Sequence, residues 1–126
     1  MKKFIYFFVM LFAFFTISDV KANSIDSISM DIYIDSNGTA HVKEIWDAYL
    51  NEGTEAYKPY YNLGNSEIKD LSVMDGGTRY TNILNWNTSG TLYSKANKCG
   101  INKISDGVEL CWGISSYGHH TYTVTY

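Results

Sequence analysis

Ile28, Met30, Ile32 and Ile34 alternate with Ser29, Asp31 and Tyr33. This period of two fits a strand with one buried face and excludes a helix. Asp35-Ser36-Asn37-Gly38 follows, a turn in which Asn and Gly tolerate positive φ. Thr39 to Leu50 then resumes with Ala40, Val42, Trp46, Ala48 and Leu50 on one parity, so the two stretches predict a β-hairpin. Glu44 interrupts the apolar parity and Ile45 falls out of phase. Either a bulge shifts the register or Glu44 is an inward-facing edge charge.

Residues 51–65 hold Gly53, Gly64, the single Pro59 and the rings of Tyr57, Tyr60 and Tyr61, a composition that predicts a long ordered connection. Ile68, Leu71 and Val73 predict a third strand, Asp75-Gly76-Gly77 a turn, and Tyr80 to Trp86 a fourth strand, with Leu92 and Tyr93 starting another short one. The last third predicts strands at Cys99 to Ile104, Val108 to Ile114 and His119 to Tyr126. In the last of these, Tyr122, Val124 and Tyr126 take one face and Thr121, Thr123 and Thr125 the other. Short strands with turns about every ten residues predict a small all-β antiparallel sandwich of immunoglobulin-like architecture. The sequence stops inside that last alternating run, which predicts a domain that continues beyond Tyr126.

Composition adds an address. Met1-Lys2-Lys3 is a positive start, Phe4 to Ile17 an uncharged and mostly apolar stretch, and Val20-Lys21-Ala22 a small-residue cleavage pattern. Residues 1–22 thus read as a helical signal peptide cut between Ala22 and Asn23, its apolar part being shorter than a spanning helix needs, and the alternative is a leader retained as an anchor. The remaining residues 23–126 form one extracytoplasmic domain carrying seven cations and twelve carboxylates, a net charge of −5. That balance argues against nucleic acid as a partner. All six Phe lie in the leader, whereas the remainder uses ten Tyr and three Trp, aromatics whose polar tips suit a thin β domain. Trp46, Trp86 and Trp112 with Tyr57, Tyr60 and Tyr61 form either ordinary core and sheet surface or a stacking platform for sugars.

Export makes Cys99 and Cys111 a disulfide candidate, the alternative being two free thiols buried as small hydrophobes. A tight Asp106-Gly107 turn pairs Asn102 with Cys111 and leaves Cys99 three positions along, so a bridge needs a longer loop or a bulge. His41, Glu44 and Asp47 suggest acid–base or metal chemistry, yet on a strand Glu44 points away from the other two. His119-His120 likewise face opposite sides. No catalytic residue, cofactor site or metal site is therefore assigned.

The order Asp35-Ser36-Asn37-Gly38-Thr39, Val42-x-Glu44-x-Trp46, Tyr57-Lys58-Pro59, Ile68-x-Asp70-Leu71-x-Val73, Gly107-x-Glu109-Leu110-Cys111-Trp112-Gly113-Ile114 and His120-x-Tyr122-x-Val124-x-Tyr126 resembles the N-terminal portion of the bacterial predicted membrane proteins known as domain of unknown function 2207. Members often carry Arg where Lys58 stands. The resemblance implies a β-rich domain at the outer face of the cytoplasmic membrane, anchored in full-length relatives by transmembrane helices downstream. It supplies no reaction. The expectation is a non-catalytic exported domain acting through contacts with a protein or with envelope material, and the alternative is a carbohydrate-binding module.

Overall fold

The computed structural model describes residues 22–126, so the signal peptide and all but the last residue of its cleavage pattern lie outside the described residues. The hairpin forms as expected, with β1 at Ser24–Ile34 and β2 at Ala40–Leu50. Its turn is closed by Asp35, whose N–H donates to the Thr39 carbonyl at 3.0 Å and whose carboxylate accepts from the Asn37 and Thr39 N–H groups. Gly38 sits there at φ +89, where a side chain would be strained.

Residues 51–65 depart from the expected connection, because Glu55–Tyr61 form a strand, β3. Pro59 is compatible with it because β3 is an edge strand. Ile114 N–H donates to the Thr54 carbonyl and Asn62 N–H to the Asp106 carbonyl. In an antiparallel ladder that parity turns the backbone groups of Ala56, Lys58 and Tyr60 toward the neighbouring strand and those of Glu55, Tyr57, Pro59 and Tyr61 toward the open edge. The missing N–H of Pro59 thus costs the ladder nothing.

The remaining strands are β4 at Ser72–Asp75, β5 at Thr78–Arg79, β6 at Thr81–Ile83, β7 at Lys98–Ile104, β8 at Gly107–Gly113 and β9 at Gly118–Thr125. The expected fourth strand is therefore split into β5 and β6, and Trp86 lies in the loop that follows. In place of a strand at Leu92 there is one helical turn, α1, at Leu92–Lys95. Thr91 decides this locally, since its hydroxyl accepts from the Ser94 N–H at 3.2 Å and caps the turn.

Two sheets result, one ordered β1-β2-β9-β4-β5 and the other β3-β8-β7-β6, antiparallel throughout except for the parallel pair β6–β7. They pack as a small all-β sandwich. The core lies between them and consists of Val73, Leu110, Trp112, Ile114, Tyr122 and Val124 with their neighbours, each at most 1 % exposed. As the alternation of the last strand predicted, Tyr122 and Val124 point inward.

Layer contacts fix which strand lies over which. Trp112 of β8 meets Tyr122 of β9 edge-on at 5.8 Å, Lys58 of β3 reaches Glu44 of β2, and the Cys99 thiol of β7 lies against the backbone of Val73 in β4. Continuing that order, β1 extends beyond β3 with no strand over it among the described residues.

Candidate functional site

β1 pairs with β2 in a register that sets Ile28 opposite Trp46, Met30 opposite Glu44, Ile32 opposite Val42 and Ile34 opposite Ala40. Directly opposed residues share a face, so the apolar row of β1 belongs to the inner face of its sheet. It is nevertheless exposed, by 46 % at Ile28 and Met30, 58 % at Ile32 and 66 % at Ile34. At the β1 start, a cavity of about 410 Å³ opens between the sheets, lined by Ile25, Trp46, Ala48, Ala56, Trp112 and Tyr122 among others. Trp112 is fully buried, and its indole N–H has no hydrogen-bond partner among the described residues. The cavity also touches Glu55, Ala56 and Tyr57 of the β3 edge, and this groove with the exposed row of β1 is the candidate contact site.

Behind the groove lies a buried ionic network. The Glu44 carboxylate, completely buried, takes hydrogen bonds from the Lys58 ammonium and the Tyr126 hydroxyl on one oxygen and from the Trp46 indole on the other at 2.6 Å. Tyr60 joins through the Tyr126 hydroxyl, and Lys58 lies 5.0 Å from the centre of the Tyr60 ring. Burial alone would push the Glu44 carboxyl up, but the hydrogen bonds from Lys58, Tyr126 and Trp46 and the charge of Lys58 hold it below the ordinary range. Burial opposes the Lys58 charge too, and the bonds and charges of Glu44 and Tyr60 hold that ammonium above its ordinary range. Glu44 is thus inward-facing on an interior strand, and no bulge occurs at its position. The irregularity of the hairpin falls between Ile25 and Ser27 on β1.

A second buried cation, Lys95, donates to the Glu55 carboxylate at 2.7 Å, the Thr88 carbonyl at 2.7 Å and the Thr54 hydroxyl at 3.0 Å. Trp86 donates its indole N–H to the same Glu55 oxygen at 2.6 Å. Glu55 stands opposite Gly113, on the face away from the core, so this clamp fastens the Trp86 loop and α1 over the outer face of the β3-β8-β7-β6 sheet.

The clamp also explains the cysteines. β7 pairs Cys99 with Trp112 and Gly100 with Cys111. Cys99 therefore faces the core, whereas Cys111 faces outward under the clamp, and both are free and fully buried. The expected disulfide is not present. The turn pairs Ile104 with Gly107, one residue from the register that would oppose the two cysteines, and that single step sends their side chains to opposite faces. Burial pushes the Cys111 thiol up to about 12, with the charges of Glu55 and Glu109 adding to the effect.

The six aromatics proposed as a platform do not share a surface. Trp112 is in the core, Trp86 is 8 % exposed beneath its loop, Trp46 and Tyr60 point inward, and only Tyr57 and Tyr61 are exposed, on the outer side of β3. Both predicted signal-cleavage residues are described: Ala22 is exposed, and the Asn23 side-chain oxygen accepts from the Asn51 and Glu52 N–H groups at 2.7 and 3.1 Å. Glu44 and Asp47 lie on opposite faces, as expected.

Asp47 instead meets His119, with 3.1 Å between Oδ1 and Nε2, and Asp26 completes an exposed cluster whose ligand atoms lie within 4.8 Å of one another. Partly solvated ion pairing accounts for it. His120 is buried, with Nδ1 2.7 Å from the Asp75 carboxylate and Nε2 2.8 Å from the Ser116 carbonyl. Lys58, Tyr126 and Lys95 were not singled out beforehand as buried partners; the signal available was Glu44 standing at an apolar position.

A search of protein-family models, curated proteins and solved structures finds no match to this chain.

Proposed function

We propose that this chain is an exported, non-catalytic domain of the membrane-protein type its motifs resemble, and that it works at the outer face of the bacterial membrane by contact with another protein. The uncovered apolar row Ile28, Met30, Ile32 and Ile34 carries this reading. A contiguous apolar stripe on an otherwise acidic domain is stable in water at a cost that partner binding removes. The separation of Glu44 from Asp47 takes away the pair of carboxylates that acid–base chemistry at these positions needs. Burial of Trp86 and Trp112 counts against the carbohydrate alternative, which is left with Tyr57 and Tyr61.

The test is photocrosslinking in a bacterial envelope, with a photoreactive residue placed at Met30 or Ile32 and, as control, at the 95 % exposed Leu84. Discrete protein adducts from the two β1 positions and none from the control are expected. Adducts absent from β1, or glycan-array binding lost on Tyr57→Ala and Tyr61→Ala, would replace this reading.

A further inference from the structure

β1, β2 and β9 lie side by side in one sheet, and on its outer face each contributes one side chain to a single cluster, Asp26, Asp47 and His119. Asp47 stands opposite Thr121 and His119 opposite Tyr49, so both point outward while Trp46, Ala48 and Tyr122 between them face the core. Asp26 reaches the same face through the irregularity of β1. In an unbroken register, Ser27 opposite Asp47 would set Asp26 opposite Ala48 and turn it inward. One extra residue sets Ile25 opposite Ala48 instead, which keeps Ile25 on the cavity and leaves Asp26 exposed beside Asp47.

We infer that Asp26, Asp47 and His119 bind a divalent transition-metal ion of the zinc class, with water completing its coordination. The donor set selects the ion. One imidazole nitrogen with two carboxylate oxygens suits zinc, whereas calcium and magnesium take oxygen ligands. The spacing fits as well. A tetrahedral ion with bonds of about 2.0–2.1 Å holds neighbouring ligand atoms about 3.4 Å apart. His119 Nε2 lies 3.1 Å from Asp47 Oδ1 and 3.9 Å from Asp26 Oδ2, on either side of that value, and the three ligand atoms lie within 4.8 Å of one another. Side-chain rotation, free at such exposure, closes the remainder.

Electrostatics point the same way. Among the described residues neither Asp26 nor Asp47 pairs with a lysine or arginine. A protonated His119 makes the ion pairs already noted. A neutral ring leaves two carboxylates converging with no cation between them, and its Nε2 lone pair then faces them as a third donor. Hydroxyls orient the carboxylates: Ser24 donates to Asp26 Oδ1 at 3.2 Å, leaving Oδ2 for the ion, and Thr121 donates to Asp47 Oδ1 at 3.5 Å. His120 is not a ligand, being turned inward to Asp75. The site lies on the opposite face of the sheet from the contact groove and is independent of that reading. By joining β1 to β9 across β2, the ion fastens the edge strand beside its bulge.

The test is titration of zinc into the isotope-labelled mature chain, read by calorimetry and by the histidine ring signals. Expected are one ion per chain, shifts at the His119 ring with none at His41, and a rise in melting temperature. Asp26→Asn and His119→Gln should each weaken binding by at least about tenfold and abolish the rise. His41→Gln, which removes the exposed histidine beside Asp35, should change neither. Melting without metal confirms that each variant folds. Calcium at the same concentration should leave the His119 ring unmoved. No zinc binding, an equal response to calcium, or binding that survives His119→Gln overturns the inference, the last two reducing the cluster to an unspecific acidic surface.

Discussion

Glu44 and Lys58 tie the two sheets together through a single ion pair, the carboxylate rising from β2 and the ammonium from β3. The carboxylate has no access to water, while the lysine side chain keeps 21 %. Such a pair contributes little net stability, because desolvation cancels much of the attraction, yet removing one partner strands the other. Lys58→Met should therefore cost about 3–5 kcal/mol in urea unfolding. The double variant Glu44→Leu with Lys58→Met should recover most of that loss. A single variant no worse than the double one would show that the carboxylate is rehydrated rather than stranded.

The same network sets two limbs of pH dependence. Glu44 is held below its ordinary value of 4.5, so its contribution is present above that value and is lost as the medium is acidified through the folded-state value. Lys58 is held above 10.5, and burial together with the bonds to Glu44 and Tyr60 pushes Tyr126 well above 10.0. These two groups contribute fully below about pH 10, and the contribution falls as the unfolded chain begins to lose those protons. Urea midpoints from pH 3 to 11 should show loss at both ends, and Glu44→Gln should flatten the acid limb. An unchanged acid limb in that variant would assign the loss to other carboxylates.

The hairpin and the last third of the chain were legible because β1 and β9 alternate cleanly and recognisable turns mark off their neighbours. β3 was not, since Pro59 and three Tyr read as loop until the edge position makes the missing N–H harmless. The fate of the cysteines depended on one residue of turn register, which hydrophobic alternation does not fix when Ile104 and Gly107 close the turn. Glu44 was visible as an anomaly, but Lys58 and Tyr126 are 14 and 82 residues away from it, and only the stacking of the sheets brings them together. The exposure of β1 was equally hidden. Its pattern is that of a buried face, and the sequence of the strand itself holds nothing about whether another strand covers it.

The cysteine arrangement gives a direct chemical outcome. Both thiols should be present in the non-reduced protein, with no two-hydrogen mass deficit. They should resist iodoacetamide at pH 8 until urea is added, because both are buried and the Cys111 thiol is pushed up to about 12. Mass spectrometry before and after denaturation reads both points. A linked pair in the native protein would require a register shift between β7 and β8.

Exposure of the β1 row predicts a contrast in mutational cost. Ile32 is 58 % exposed, with no strand over it among the described residues, so Ile32→Thr should change stability by no more than about 0.5 kcal/mol. Leu110, fully buried in the facing sheet, should cost about 2–5 kcal/mol as Leu110→Ala. If Ile32→Thr proved as costly as the core change, the groove would already be closed in solution.

Gly113 offers the sharpest local test of the clamp over the outer face. A Cβ there would overlap the Lys95 carbonyl, whereas one at Gly77 would meet nothing within 4 Å. Withdrawal of the Lys95 backbone pulls on its ammonium, which is held by Glu55, Thr54 and Thr88, and so on the cover over Cys111. Gly113→Ala should therefore destabilise the domain by about 3 kcal/mol, as overpacking against backbone does, and should raise the alkylation rate of Cys111 well above that of Cys99. Gly77→Ala should do neither. Equal acceleration at both cysteines would mean that Gly113→Ala opens the whole sandwich rather than the clamp, and no acceleration at either would mean that α1 shifts without releasing Lys95.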